Sequence, residues 1–388
     1  MFKLQSTVVQ STDSLLQTTV HRGGAEIIAP LAEEWRALCA EGICDQPFYQ
    51  PEWIQAYVSA FAPDQTLVVL TVRRKGELRA ILPLIEERSS LHGFPVNKLR
   101  SASNVHSCRF DVILGADLED ESVLKALWRQ LQQMPTWSVI ELKDVPARGG
   151  SDRLLSLANR SGYQTGRRDL TPGPYISLPA GGQSFDEAMA HVNSGFRSKL
   201  RQYKRQLSRK GELRLQVIKT AEADQLDSFY QLEAKGWKGN EGTAIQNSRA
   251  TRHFYDAVAQ AATASNSFLH YRLELNGHLV AAYFGVYQQG QYFALKSAYD
   301  ESFSRYTPGN LIVQEILTDL LKAQAQVFDF LGSWAEWKRR WSQQVRPQGN
   351  CYIFRPGAMG TALHHFTFQI MPVARKLKHK WDEKSLTA

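Results

Sequence analysis

Three alternating segments in the second half limit most sharply what this chain can fold into. Phe268–Leu275 turns at Asn276-Gly277 into Leu279–Tyr287, which turns at Gln288–Gly290 into Gln291–Tyr299. Asn-Gly between alternating apolar runs is among the strongest short-range hairpin signals, because both residues accept the positive φ of a tight turn. A three-stranded meander is therefore expected. Helical spacing precedes it near Ala223–Lys235 and Arg249–Ala262, and a helix over Asn310–Ala325 followed by a strand over Val327–Leu331 comes after it.

The first half repeats this order less clearly. Helical spacing at Leu31–Cys39 and Trp53–Phe61 precedes a hairpin, Thr66–Arg74 and Leu78–Arg88, around Lys75-Gly76-Glu77. A strand over Arg109–Leu114, a helix over Asp120–Met134, a strand over Ser138–Leu142 and a helix near Asp152–Arg160 follow. Two copies of one mixed α/β unit are predicted, roughly 25–165 and 180–360, joined by the Pro/Gly-rich stretch Asp169–Pro179. As domains this reads 1–168, 169–360 and a basic tail, 361–388.

With 388 residues, 43% hydrophobic and 22% charged, the chain is no disordered tail or collagen-like rod. The net charge of +8 is local. Seven basic residues and no acidic one fall between Arg197 and Lys210, so the rest is nearly neutral. Within that segment Phe196, Leu200, Tyr203 and Leu207 form one apolar stripe of a helix whose other faces are cationic. Two readings stay open, a solvated face or an electrostatic seat for an acidic partner.

Four scattered cysteines (Cys39, Cys44, Cys108, Cys351) read as reduced thiols rather than a disulfide framework. The longest apolar run, about nine residues over Leu279–Tyr287, is far short of a membrane span. The first 30 residues lack the apolar stretch of a secretory signal. The expected location is the cytoplasm, with peripheral contact to the inner membrane face as an option. His364-His365 has no third ligand in view, so no metal is expected.

The loop Asp300–Leu311, DESFSRYTPGNL, joins the last meander strand to a helix. A helix N-terminus offers backbone N–H groups and a positive dipole end to an anion such as a pyrophosphate. Arg305 adds a cation, Pro308-Gly309 forces the turn, and Gly309 lets a phosphate approach the backbone. The corresponding loop of the first copy, Gly115–Glu121, carries four carboxylates and would repel the same group. Only the second copy is equipped for an anionic cofactor.

FYQLEAKGWKGNEGTAI (Phe229–Ile245), YFALKSAYDESFSRYTPGNLIVQEIL (Tyr292–Leu317) and FDFLGSWAEWKRRW (Phe328–Trp341) resemble the GNAT-type acyltransferase branch. That branch includes cellulose-biosynthesis-associated (CelD-type) acetyltransferases and is related to the FemAB-type aminoacyl transferases. The resemblance implies a tandem GNAT-like α/β fold and transfer of an acyl group, usually from acyl-CoA such as acetyl-CoA, to an amine or hydroxyl. The expected acceptor is a small molecule or saccharide, such as an amino sugar, polysaccharide precursor or cell-envelope metabolite. Carried over by position, Arg305, Pro308, Gly309 and Asn310 correspond to the pyrophosphate-binding loop, with Pro308 standing at the usual first glycine.

Acyl transfer needs a proton acceptor and donors to the oxyanion. The period of two puts Tyr292, Ala294, Lys296 and Asp300 on one strand face, so Lys296 and Asp300 are expected to pair there. Asp300 is the first candidate base and Glu233 the second. Their alternatives are a turn cap for Asp300 and an ion pair with Lys235 or Lys238 for Glu233. Trp237 and Lys238, in a Gly-flanked loop, and Lys338 are candidates for acceptor or phosphate contact. Two other functions are kept open. One is FemAB-like transfer from aminoacyl-tRNA, the only case in which nucleic acid is an expected partner. The other is a non-catalytic anion-binding protein, in which the basic helix and the tail Arg375–Lys380 bind nucleic acid or an anionic membrane. The oligomeric state is not legible.

Overall fold

The three expected hairpins form, and the turn residues of two of them show why. In the computed structural model, which describes residues 5–10, 15–42, 45–116, 121–181, 183–236, 239 and 241–373, Lys75-Gly76 has φ of 51° and 88°, and Asn276-Gly277 has 51° and 78°. Two consecutive positive φ values twist the turn to match the strands it joins. Among the described residues the chain packs as two units: one holds those up to 42, 62–170 and those from 348 on, and the other holds 45–61 and 171–347.

The first unit contains β1 (Gln5–Gln10), β2 (Leu16–Gly23), β3 (Thr66–Arg74), β4 (Glu77–Leu91), β5 (Phe94–Ser101), β6 (Ile113–Leu114), β7 (Val139–Pro146) and β8 (Gln164–Asp169). β2 to β5 are antiparallel neighbours, and the helix Glu121–Gln133 then crosses over to set β7 parallel to β5. That helix buries Leu124, Leu127, Trp128 and Leu131 against Val68, Leu70, Leu82 and Leu84. The strand expected over Arg109–Leu114 shrinks to β6. Asp111 instead accepts the N–H groups of Gly150 and Ser151 at 3.1 and 2.6 Å, capping the helix Gly150–Arg160.

The second unit repeats that topology with β9 (Gly173–Ser177), β10 (Leu213–Ile218), β11 (Phe268–Leu275), β12 (His278–Gln288), β13 (Gln291–Tyr299), β14 (Val327–Asp329) and β15 (Val345–Arg346). Its order is β10-β11-β12-β13-β14-β9-β15, and the helix Pro308–Lys322 makes the crossover that sets β14 parallel to β13. One sheet face holds that helix, with Leu311, Ile316, Leu317 and Leu320 against Tyr271, Tyr292 and Phe328. The other face meets the helices Ala223–Lys235 and Arg249–Ala264 through Phe229, Tyr255 and Phe284.

The domain limits expected at 168/169 and 360/361 do not follow this packing. β9, inside the stretch read as a linker, pairs with β14, whereas β16 (Gln348–Phe354) pairs with β7 and β8. The helix Pro51–Phe61 belongs with the second unit, where Trp53 and Phe61 lie 5.4 and 5.2 Å from the Phe254 ring. Local pattern neither marked β9 as a strand nor told which sheet would receive it.

His270 on β11 is enclosed by Phe229, Phe268 and Phe284, and neither ring nitrogen has a hydrogen-bond partner. Burial, aided by the Arg272 charge, pushes its pKa down to about 3. Such a histidine supports folding fully above the unfolded value near 6.5, and that support is lost progressively as pH falls toward 3. His270→Phe is expected to move the midpoint of acid unfolding to lower pH, read by circular dichroism across a pH titration. An unchanged midpoint refutes the assignment.

Candidate functional site

β13 and β14 pair over three residues only, from Gln291↔Val327 to Phe293↔Asp329. Beyond Phe293, no strand pairs with that side of β13 among the described residues. On its other side the register with β12 slips: Gly285 faces Ala294 while Phe284 faces Lys296, which leaves Leu295 as an extra residue. Such a bulge reverses the alternation of side chains. Tyr292 stays in the core with Tyr271 and Phe328, but Lys296 moves to the opposite face. There its ammonium lies 5.6 Å from the Tyr255 ring centre and 3.9 Å from Glu233 Oε1. The expected sharing of one face by Tyr292, Ala294 and Lys296 fails for this reason. Gly285 marks the slip, since a Cβ there would stand 2.4 Å from the Tyr292 ring.

Glu233 is 2% exposed, and its Oε2 accepts the Ile245 N–H at 2.9 Å. Among the described residues its cationic partner is Lys296, and Lys238 lies outside them. Lys296 retains 16% side-chain exposure, so the pair presents the ammonium rather than the carboxylate to solvent.

Asp300 does not pair with Lys296. It caps the short turn Glu301–Tyr306, accepting the N–H and hydroxyl of Ser302 at 2.9 and 2.7 Å and lying 2.7 Å from His278 Nε2. Burial alone would raise its pKa, but the hydrogen bonds from Ser302 and His278 outweigh that and hold the carboxyl below its ordinary range. A carboxylate stabilised in this way is a poor proton acceptor. The structure gives Asp300, the first base candidate, the place of a cap on the turn before the helix Pro308–Lys322.

Within that loop Thr307 precedes the helix Pro308–Lys322 at φ 48°, and its Oγ1 is buried without a partner. A β-branched residue is strained in this region. Pro308 has no N–H, and the N–H groups of Asn310 and Leu311 both go to the Thr307 carbonyl, at 2.9 and 3.1 Å. Gly309 is left as the first-turn donor without an acceptor among the described residues. A Cβ at Gly309 would meet only Tyr299, at 3.6 Å, so the space on that side of the residue is open. Arg305 is exposed, with its guanidinium 4.5 Å from the Tyr306 ring centre and donating to the Tyr306 hydroxyl. Lys210 stands 6.0 Å from the same ring. The Asn310 side chain is oriented by Trp341, whose indole N–H donates to its Oδ1 at 2.9 Å. These groups fit a phosphate held by one backbone donor, a threonine hydroxyl and two nearby cations. Thr307→Gly should relieve strain on the order of 1 kcal/mol and raise Tm while weakening any anion bound here. A calorimetric scan with and without ligand checks both.

The helix Ser194–Ser208 seats its stripe as expected: Leu200 and Leu207 are buried, Phe196 packs on Trp341, and Tyr203 on Tyr306. Arg197 and Arg201 share Asp186, and Lys204 pairs with Glu315. Lys199, Arg205, Arg209 and Lys210 have no carboxylate partner among the described residues. Lys338 is a tether: its ammonium donates to the Leu331 and Ser333 carbonyls at 2.7 and 3.1 Å. Trp237, Lys238, the acidic residues 117–120 and the tail Arg375–Lys380 lie outside the described residues. Among the described residues Cys39, Cys108 and Cys351 form no disulfide with one another. His364 packs on Phe354 and Phe368. Among the described residues no cluster of three metal-ligating side chains occurs, and no helix is long and apolar enough to cross a membrane.

The sequence reading missed Asp329, which is fully buried where β13 and β14 part. It accepts the Leu331 N–H at 2.9 Å and lies 3.2 Å from Arg346 Nε. A lone carboxylate between Phe328 and Phe330 was the available signal.

Residues 194–339 match the Acetyltransferase (GNAT) domain family. No curated protein matches the chain significantly. Among solved structures, FemX superposes with a TM-score of 0.60 at 12% identity, over 86% of this chain and 98% of FemX. The C-terminal domain (DUF2156) of a putative lysylphosphatidylglycerol synthetase from Agrobacterium fabrum gives 0.52 at 13%, over 88% and 96%. L-PGS from Bacillus licheniformis gives 0.50 at 10%, over 86% and 95%. At such identities the likeness is one of fold. The domain match and the repeated meander, crossover helix and parallel strand make this a tandem GNAT-like fold with two mixed sheets.

Proposed function

We propose that the chain is an acyl-CoA-dependent acyltransferase, with acetyl-CoA as the first donor to test. Its acceptor would be an amine or hydroxyl of a sugar, polysaccharide precursor or related cell-envelope metabolite in the cytoplasm. The observation that carries this reading is the position of Lys296. Held by Glu233 over Tyr255, it stands just past the bulge where β13 has left β14, inside the segment that matches an acetyltransferase domain.

Addition of a nucleophile to an acyl carbonyl builds negative charge on oxygen, and a fixed cation in a water-poor site stabilises it. Lys296 is the catalytic residue on this reading, and Glu233 is a positioning residue. The Gly309 N–H, Thr307 hydroxyl and Arg305 would hold the donor's phosphates. The loop from Gly236, which begins beside Glu301 and carries Trp237 and Lys238 in its sequence, would meet the acceptor. A thermal-shift screen with acyl-CoAs and free CoA tests the donor. Stabilisation by CoA supports it, and no shift with any of them refutes it.

A second reading, transfer from aminoacyl-tRNA, is favoured by one specific feature. Among the described residues, Pro308 and the Thr307 carbonyl leave the helix start a single N–H without an acceptor, a sparse grip for a pyrophosphate, while four cations of the segment Arg197–Lys210 have no carboxylate partner. Activity that needs charged tRNA and persists without acyl-CoA would replace the first reading with this one.

A further inference from the structure

The first unit holds a cleft of about 500 Å³, and the end of one helix explains it. On one face of the sheet Val68 and Leu84 belong to the core beneath the helix Glu121–Gln133. By strand alternation the next positions outward on that face are Thr66 and Glu86, paired with each other, and then Arg88 and Asn97, also paired. The helix stops before it covers them, and the sequence turns polar there. The segment after the helix forms a wall of the cleft, with the Thr136 hydroxyl 3.4 Å from Glu86 Oε1. The cleft therefore lies at the C-terminal end of the crossover helix, whereas the anion loop of the second unit lies at the N-terminal end of its own. Thirteen residues put the two ends of the first helix about 20 Å apart, so the cleft is not the counterpart of the donor site.

Its charges decide what it can hold. Glu86 pairs with Arg22, Glu87 with Arg100, and Lys98 with Glu141 at 3.0 Å. Three of the five charged lining groups are thereby compensated and fixed in place. The other two, Asp64 and Arg88, are opposite in sign and, like the Asn97 amide, have no side-chain partner among the described residues. No net charge is left to select a phosphate or a polyamine. Leu99 and Trp137, the apolar lining residues, are 1% and 2% exposed, so little apolar surface faces the space either. What remains is a set of fixed hydrogen-bonding groups: Asp64 and Glu86 accept, Arg88 donates, and Thr66, Asn97 and Thr136 do both. Neutral groups that also donate and accept at once, the hydroxyls of a sugar ring, match that set, and the volume is that of a small-ligand site.

We propose that this cleft binds a neutral saccharide. Arg88 and the carboxylates of Asp64 and Glu86 each engage ring hydroxyls, and Asn97 and the two threonines complete the hydrogen bonds. The proposal deepens the reading of the acceptor as a saccharide and rests on it for its purpose, whereas the binding itself requires no donor.

Calorimetric titration and saturation-transfer NMR of the full chain with glucose, cellotetraose and maltotetraose, without CoA, test it. At least one of the three is expected to bind with a Kd of about 1 mM or tighter. Arg88→Ala/Asn97→Ala should weaken that binding at least tenfold with Tm unchanged, because both side chains are exposed, while Gly309→Glu should leave it intact. The same double variant should keep the wild-type response to CoA, so failure of the donor reading and failure of the cleft are told apart. No binding of any of the three sugars overturns the proposal. So does sugar binding that the double variant leaves untouched. Tighter binding of spermidine or of glucose 6-phosphate, abolished by the double variant, overturns it in favour of a charged ligand.

Discussion

Lys296→Met is expected to lower turnover by roughly 100-fold or more, the usual consequence of removing one preorganised donor to a developing oxyanion. Methionine keeps an unbranched stem over Tyr255 and removes only the charge. The same change removes from the buried Glu233 the cation described beside it, and breaking a buried pair from one side costs about 3–5 kcal/mol. Loss of activity could then reflect loss of fold, and the second substitution separates them. In Lys296→Met/Glu233→Gln the amide can retain the interaction with the Ile245 N–H without a charge, so Tm should recover while turnover stays low. If the double variant regains turnover along with Tm, or if Lys296→Met alone keeps half of wild-type kcat at saturating substrate, Lys296 is structural and the proposed chemistry is wrong. Glu233→Gln alone should reduce kcat with little effect on KM, because it loosens Lys296 without touching either substrate.

Gly309→Glu should abolish stabilisation by CoA. A ligand present at 100 times its Kd stabilises by about 2.7 kcal/mol, a shift easily read in a melting curve, and a carboxylate beside the single free N–H would repel the phosphate from that donor. Gly309→Ala isolates the steric part. Its Cβ would meet only Tyr299 at ordinary contact distance, so the unliganded protein should melt at or above the wild-type temperature, with CoA affinity reduced about tenfold. Equal CoA stabilisation of wild type and Gly309→Glu places the donor elsewhere.

Much of the architecture was legible because it is locally encoded. Lys75-Gly76 and Asn276-Gly277 dictate their turns through φ, and the stripe Phe196, Leu200, Tyr203 and Leu207 dictates which side of its helix is buried. The site was legible only as a neighbourhood. Lys296 and Glu233 were both singled out, yet they were not joined, because the alternation rule assumes an unbroken ladder and Leu295 breaks it. Asp300 looked equally suited to a base and to a cap, and the neighbours that decide this, Ser302 and His278, come from the following turn and from the start of β12.

The sequence by itself determined the meander and the hairpin at Lys75-Gly76, the helices beside them, and the helix that carries most of the cationic surplus, but not the strands β9 and β16. These follow from backbone sterics and from the burial of apolar faces, which act over a few residues. Only the tertiary structure decided that β9 and β16 go to sheets far from their sequence neighbours, that Pro51–Phe61 packs with the second unit, and that the buried Glu233 meets Lys296. Sheet membership and the partner of a buried charge depend on which distant backbone edge or side chain can satisfy hydrogen bonds and charge once water is excluded. No local pattern carries that information. Gly285 is its one trace in the sequence, a residue whose missing Cβ makes room for Tyr292 beside the bulge.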